Sequence, residues 1–363
     1  MSELVSNSEE MPASAPPIEK AVHRSIPSLD GFRSIAVLFV FIAHAGLDHI
    51  FPGGFGVTLF FFLSGYLITT LMRIEHQKTG TVNIKHFYMR RLLRIVPPLY
   101  ITTTIAILFV VFNLVPSNTE WLAAASHYLF FTNYYGLLSA NDGITGCSPQ
   151  WSLAVEEHFY LLFPLVFSYF LVKRNATHQA YWLFGFCAIV LAHRTNMASL
   201  GEFGWTYLAT DCRLDSIAFG CILALWKNPV LDESVRKNPG SIWWFYGGLA
   251  TLLFCFAFRN QFFRESFRYT LQGLALMPIF IWAIVRYDKF PFTLLNNKFM
   301  KWTAAFSYTI YLVHYIAFYL VAEWITKDPL AKGLISGIAI LIYSYLMYVL
   351  VEKPTGQMRK KYA

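Results

Sequence analysis

The first two side chains able to do chemistry together are Arg33 and His44. Eleven helical residues turn through about 1100°, within about 20° of three full turns, so both fall on one face, roughly 16 Å apart along the axis. A guanidinium grips phosphate as a planar fork, and an imidazole exchanges a proton near neutral pH. The pair suits a long anionic cosubstrate, with its phosphates at the rim of a membrane and its reactive end at a histidine well inside. The plainer reading of His44 is a core histidine bonded to a carbonyl, and the face it shares with Arg33 weighs against that. Arg91 and Arg94 are three apart and point the same way from one helix, either as further phosphate ligands or as anchors on lipid headgroups. Glu156 and Glu157 lie 100° apart on a helix, so one can face a cavity and the other the interface. A buried Glu156 raises the basicity of a nearby histidine or binds a sugar hydroxyl, unless it only complements a helix N-terminus. Ser64 and Gly65 are small enough to admit a neighbouring helix or a thin substrate arm. Arg213 and Asp215 are two apart and each needs a partner from elsewhere. His314, a second histidine in an apolar run, reads as a hydrogen-bonding residue rather than the base. No metal site is indicated: there is no HExxH, and the five cysteines show no CxxC spacing.

The elements that must position these groups are apolar. Of 363 residues, 56% are apolar and only 14% charged, with a mean hydropathy of +0.45. Too few charges remain to cover a soluble fold, and a disordered chain is excluded, so lipid is the solvent for much of the chain. Ten apolar runs predict membrane-spanning helices, near 31–50, 57–72, 95–115, 154–172, 180–193, 205–226, 242–258, 269–285, 302–325 and 333–351. The second and fifth are short, and the sixth carries Asp211, Arg213 and Asp215. With the N-terminus inside, 21 Lys and Arg fall on cytoplasmic segments and 6, Arg194 among them, on the other side. That asymmetry predicts an even number of spans with both termini cytoplasmic. It also assigns the net charge of +8 to membrane topology rather than to nucleic acid. Residues 1–28 read as a disordered cytoplasmic tail, 29–354 as the membrane domain and 355–363 as a short basic tail. The stretch 116–150 has no basic residue and is the expected outward loop, with 121–135 dipping into the membrane.

The residues occur in an order that resembles the acyltransferase-3 family of integral membrane O-acyltransferases. The segments are Leu29-Asp30-Gly31-Phe32-Arg33 with His44, Phe61-Phe62-Leu63-Ser64-Gly65-Tyr66, and Arg91-x-x-Arg94 with Pro97. Then follow Trp151-Ser152-Leu153-x-x-Glu156-x-x-Phe159-Tyr160 with Pro164, Arg213-Leu214-Asp215, Ser307-Tyr308-x-x-Tyr311-Leu312-x-His314 and Val351-Glu352-Lys353-Pro354. The resemblance covers about residues 28–354 and is to standalone members without a fused hydrolase-like domain. It implies an all-α bundle of about ten helices in the inner membrane of a bacterium. It also implies acyl-CoA, usually acetyl-CoA, as cosubstrate, no tightly bound cofactor, and a glycan or glycolipid hydroxyl as acceptor. His44 is implied as the essential residue, with Arg33, Arg91 and Arg94 required nearby. The residues themselves add Glu156 as a second catalytic group serving the acceptor or His44, Ser64 and Gly65 at the donor with the arginines, and Asp30, Trp151, Tyr160, Arg213, Asp215 and His314 in support. A transporter or flippase of a glycan-lipid intermediate is the alternative that the same polar interior leaves open.

Overall fold

A computed structural model describes residues 26–116, 120–139, 141 and 143–362. Residues 1–25 of the expected tail lie outside the described residues. Residues 26–28 belong to the folded part: Ile26 and Ser28 are buried, and the Ser28 hydroxyl donates to the Ala283 carbonyl. The chain is all-helical among the described residues. It runs α1 (Leu29–Ile42), α2 (Gly53–Thr79), α3 (Ile84–Val111), α4 (Trp121–Tyr128), α5 (Thr132–Ser139), α6 (Trp151–Val166), α7 (Ala176–Ser199) and α8 (Phe203–Leu208). It continues with α9 (Thr210–Trp226), α10 (Glu233–Lys237), α11 (Ile242–Ala257), α12 (Gln261–Glu265), α13 (Phe267–Val285), α14 (Lys298–Trp324), α15 (Pro329–Met347) and α16 (Lys353–Arg359). Three helices end in a wider π-helical turn: α1 over Ala43–Leu47, α6 over Phe167–Leu171 and α15 over Tyr348–Glu352.

Short polar residues start these helices. Asn83, Asn175, Asn297 and Asp328 each accept a hydrogen bond from the backbone N–H three residues on, opening α3, α7, α14 and α15. Gly80, at φ 75°, closes α2 in the left-handed conformation that glycine takes without strain.

Six helices are long and apolar enough to cross a membrane: Leu29–Leu47, Gly53–Thr79, Ile84–Val111, Phe267–Val285, Lys298–Trp324 and Pro329–Tyr362. The other four expected runs also fall on helices, α6, α7, α9 and α11, but these are too short or too polar to qualify. The expected 205–226 run is broken at Ala209, whose extended backbone (ψ 139°) separates α8 from α9. Arg194, expected in an outward loop, is fully buried within α7, which runs on to Ser199. The expected basic tail is helical from Lys353, and α16 packs on α3.

The core gathers around α9, buried on almost every side, with α2, α7 and α13 against it. From Ile217 to Leu225 this helix is apolar or small on every side, and such a stretch must be enclosed by others. Its crossing with α2 depends on glycine on both sides. A Cβ on Gly65 would collide with the Ile217 carbonyl, and one on Gly220 with the Phe62 carbonyl. Next to this core, α1 lies between α2 and α14, and α15 packs on α14.

Candidate active site

A cavity, partly open to solvent, lies where α1, α2, α3, α6 and α14 converge. Arg33 enters it from α1, Ser64 from α2, Arg91 and Arg94 from α3, Glu156 and Tyr160 from α6, and Tyr308 and Tyr311 from α14. The i,i+3 spacing of Arg91 and Arg94 is what points both inward. Arg90, one residue earlier, turns away and pairs with Glu75 at 3.1 Å. The Arg91 guanidinium stacks 5.1 Å from the Tyr160 ring centre. Arg33 reaches Asp30 at 3.3 Å. Among the described residues, neither Arg91 nor Arg94 has a carboxylate within ion-pair distance. Three guanidiniums thus line one cavity with a single carboxylate, Glu156, among the lining groups. Cations gathered in such excess over carboxylates make a site for a multiply charged anion.

Glu156 is held rather than free. The Ser64 hydroxyl donates to its Oε1 at 3.0 Å, and the Tyr160 hydroxyl lies 2.9 Å from its Oε2 and 3.0 Å from Ser64 Oγ. One turn of α6 separates Glu156 from Tyr160, so both face α2. Gly65, expected at the donor, is turned away from this cavity and serves the α2–α9 contact instead, because successive helical residues point 100° apart.

His44 lies beyond the cavity. It is the second residue of the π-helical turn that ends α1, and Gly46, at φ 115°, breaks the regular helix two residues later. His44 is exposed on the protein surface. Its Nδ1 lies 3.0 Å from Nε2 of His314, whose own Nδ1 is 2.6 Å from the Tyr311 carbonyl. Arg33 and His44 therefore both address α14, one through the cavity wall and the other through His314. Between them runs a series of rings: Phe60 to Tyr311 at 5.9 Å, Tyr311 to His314 at 5.5 Å, and His314 to His44 at 5.0 Å.

With this geometry in view, similarity to other proteins can be weighed. The profile of an acyltransferase domain family, acyltransferase-3, matches residues 26–349. The chain belongs to this acyltransferase-3 family. It is 28% identical to the Staphylococcus aureus protein named O-acetyltransferase OatA, over 93% of this chain and 58% of that one. It is 29% identical to the Bacillus subtilis protein named putative peptidoglycan O-acetyltransferase YrhL, over 92% of this chain and 55% of that one. The chain thus spans little more than half the length of these curated relatives. No solved structure matches it.

The remaining site residues of this acyltransferase-3 chain stand apart from the cavity. Asp215 meets Arg194 of α7 in a two-pronged pair at 2.8 and 2.9 Å, both side chains fully buried, and accepts from Thr270 at 2.7 Å. Arg213 has no carboxylate partner among the described residues. It donates to the Tyr207 carbonyl and Thr58, and lies over Tyr269 at 3.9 Å and Trp151 at 5.6 Å. Trp151 packs on Tyr207 at 4.9 Å, just outside the cavity lining. Two groups went unnoticed in the sequence. Arg194 sits in His193-Arg194-Thr195-Asn196, which reads as a polar turn. His127 is buried in the 116–150 stretch, 3.0 Å from Gln150, with nothing local to single it out.

Proposed function

We propose that this chain is a membrane O-acyltransferase, most simply an O-acetyltransferase, moving an acyl group from acyl-CoA to a glycan or glycolipid hydroxyl. The observation that carries the reading is the cavity in which Arg33, Arg91 and Arg94 converge, Arg91 and Arg94 without a carboxylate at ion-pair distance among the described residues, beside a helix that delivers His44 eleven residues past Arg33. The phosphates of the donor lie at the arginines, where fork-shaped donors grip them. The acyl end extends along α1 toward His44. There the acceptor hydroxyl attacks the thioester carbonyl, the carbon–sulfur bond breaks, the acyl oxygen ester forms, and the thiol departs with a proton. His44 takes the hydroxyl proton, or carries the acyl group between the two steps. General-base help of this kind is worth about 10²–10⁴-fold, and holding donor and acceptor in line contributes as much again. Glu156, fixed by Ser64 and Tyr160, holds an acceptor or donor hydroxyl at the cavity wall.

The wider setting belongs to the same proposal. Ten spans with both termini cytoplasmic put the arginines on the side where acyl-CoA is made. His44 then lies toward the opposite face of the bacterial inner membrane, where the glycan is. The names of the relatives from Staphylococcus aureus and Bacillus subtilis agree with this class of reaction and acceptor. Membranes containing the chain, given acetyl-CoA labelled in the acetyl group, are expected to pass label to a glycan. His44→Ala is expected to abolish that transfer while the protein still inserts. Full transfer by the variant would overturn the role of His44, and no transfer by the wild-type chain to any hydroxyl would overturn the function.

A further inference from the structure

We propose that His314 is a positioning residue that fixes the tautomer of His44 and so makes Nε2 of His44 the reactive nitrogen. The inference rests on the reading of His44 above, but it is decided by hydrogen-bond polarity alone. The Tyr311 carbonyl can only accept, so Nδ1 of His314, 2.6 Å away, carries a hydrogen. A neutral imidazole has one N–H, which leaves a lone pair on Nε2 of His314. That lone pair faces Nδ1 of His44 at 3.0 Å, so His44 must be the donor, and its own lone pair falls on Nε2.

The opposite polarity needs either a lone pair of His314 pressed against a carbonyl oxygen or a doubly protonated His314. The ring is 1% exposed, and among the described residues no carboxylate lies within ion-pair distance of it. A buried cation without a partner is costly in such surroundings. His44, by contrast, is exposed.

The relay starts from a fixed point. The Tyr311 hydroxyl donates to the Pro149 carbonyl at 2.8 Å and lies 2.6 Å from Ser152 Oγ, tying this part of α14 to the start of α6 and to the cavity wall. The same residue that borders the donor cavity therefore orients the base through its backbone. A buried acceptor holding Nδ1–H of a base is the arrangement that hydrolytic triads achieve with a carboxylate. Here a neutral histidine backed by a peptide carbonyl takes that place, with no charge to bury.

The test is spectroscopic first. In the full chain labelled with ¹⁵N-histidine in lipid bilayers, with resonances assigned through His44→Ala and His314→Gln, His44 is expected to be protonated at Nδ1 and bare at Nε2. This is the minority tautomer of free histidine, shared here by His314, from which the two variants distinguish it. A proton on Nε2 of His44 overturns the proposal without reference to activity. Kinetically, His314→Met removes the acceptor and is expected to lower kcat by about 10²-fold or more, with KM for acetyl-CoA within about twofold. His314→Gln restores an acceptor near the same place and is expected to recover at least a tenth of the wild-type rate. Equal losses in both variants, or none in either, would assign His314 to packing alone. Should His314→Met fail to fold, the wild-type spectrum and the glutamine variant still decide. If the tautomer is as expected while His44→Ala stays active, the orientation stands and the catalytic reading of His44 fails.

Discussion

Replacing Arg194 by leucine is expected to destabilise this fold strongly. The Arg194–Asp215 pair has no exposed surface, and the guanidinium makes five hydrogen bonds: two to Asp215, one to Thr270 and one each to the Ser266 and Cys212 carbonyls. Arg194→Leu leaves Asp215 with Thr270 as its remaining donor and strands the two carbonyls. Removing one partner of a buried pair costs about 3–5 kcal/mol, and a lone aspartate at the centre of a membrane helix about 2.5–3.5 kcal/mol on insertion scales. A loss of about 3 kcal/mol is expected. Asp215→Leu should cost less, because Arg194 keeps its two carbonyls and Thr270. Arg194→Leu/Asp215→Leu, which removes both charges, should recover most of the loss, since replacing a buried pair by apolar groups is often near neutral. Equilibrium unfolding of the four proteins in one detergent closes the double-mutant cycle. Loss in the double variant equal to the sum of the singles would show that the two groups do not act as a pair.

Further substitutions test other parts of the structure. Gly65→Ala and Gly220→Ala should each lower thermal stability by the equivalent of about 2 kcal/mol or more, because a methyl group meets a carbonyl of the facing helix; Gly185→Ala, with open space around it, should not. Tyr160→Phe and Ser64→Ala each take one hydrogen bond from Glu156, and each should reduce turnover about tenfold or less while Glu156→Ala reduces it more; an inert Glu156→Ala would place that residue outside the reaction. Arg90→Ala, whose side chain pairs with Glu75, should leave acetyl-CoA affinity within about twofold while costing some stability.

Much of this arrangement was legible in the chain, for local reasons. Arg91 and Arg94 share a helix face by spacing alone, and the separation of Arg33 from His44 by three turns brings both to α14. The apolar runs became helical, 205–226 in two pieces about Ala209, because their length and composition leave no other way to satisfy their backbone in lipid. What escaped the sequence depended on distant parts of the chain. Arg194 reads as a loop residue among polar neighbours, and only Asp215, 21 residues on, explains its burial. His314 and His44 are 270 residues apart, so nothing local reveals that they bond. Gly65 follows a cavity residue in the same motif, yet the 100° step between neighbours turns it to the Ile217 carbonyl. Gly46, at φ 115°, ends the regular helix just after His44, a break that hydropathy does not reveal.

At the centre of the proposed function is one division of labour: the arginine cavity holds the donor and His44 moves the acyl group. The affinity of the purified chain for acetyl-CoA, measured by calorimetry, tests it most directly. Arg91→Ala/Arg94→Ala is expected to weaken binding at least tenfold, and His44→Ala to leave it within about twofold while transfer is lost. Unchanged affinity in the arginine variant, or affinity lost with His44, would contradict the division.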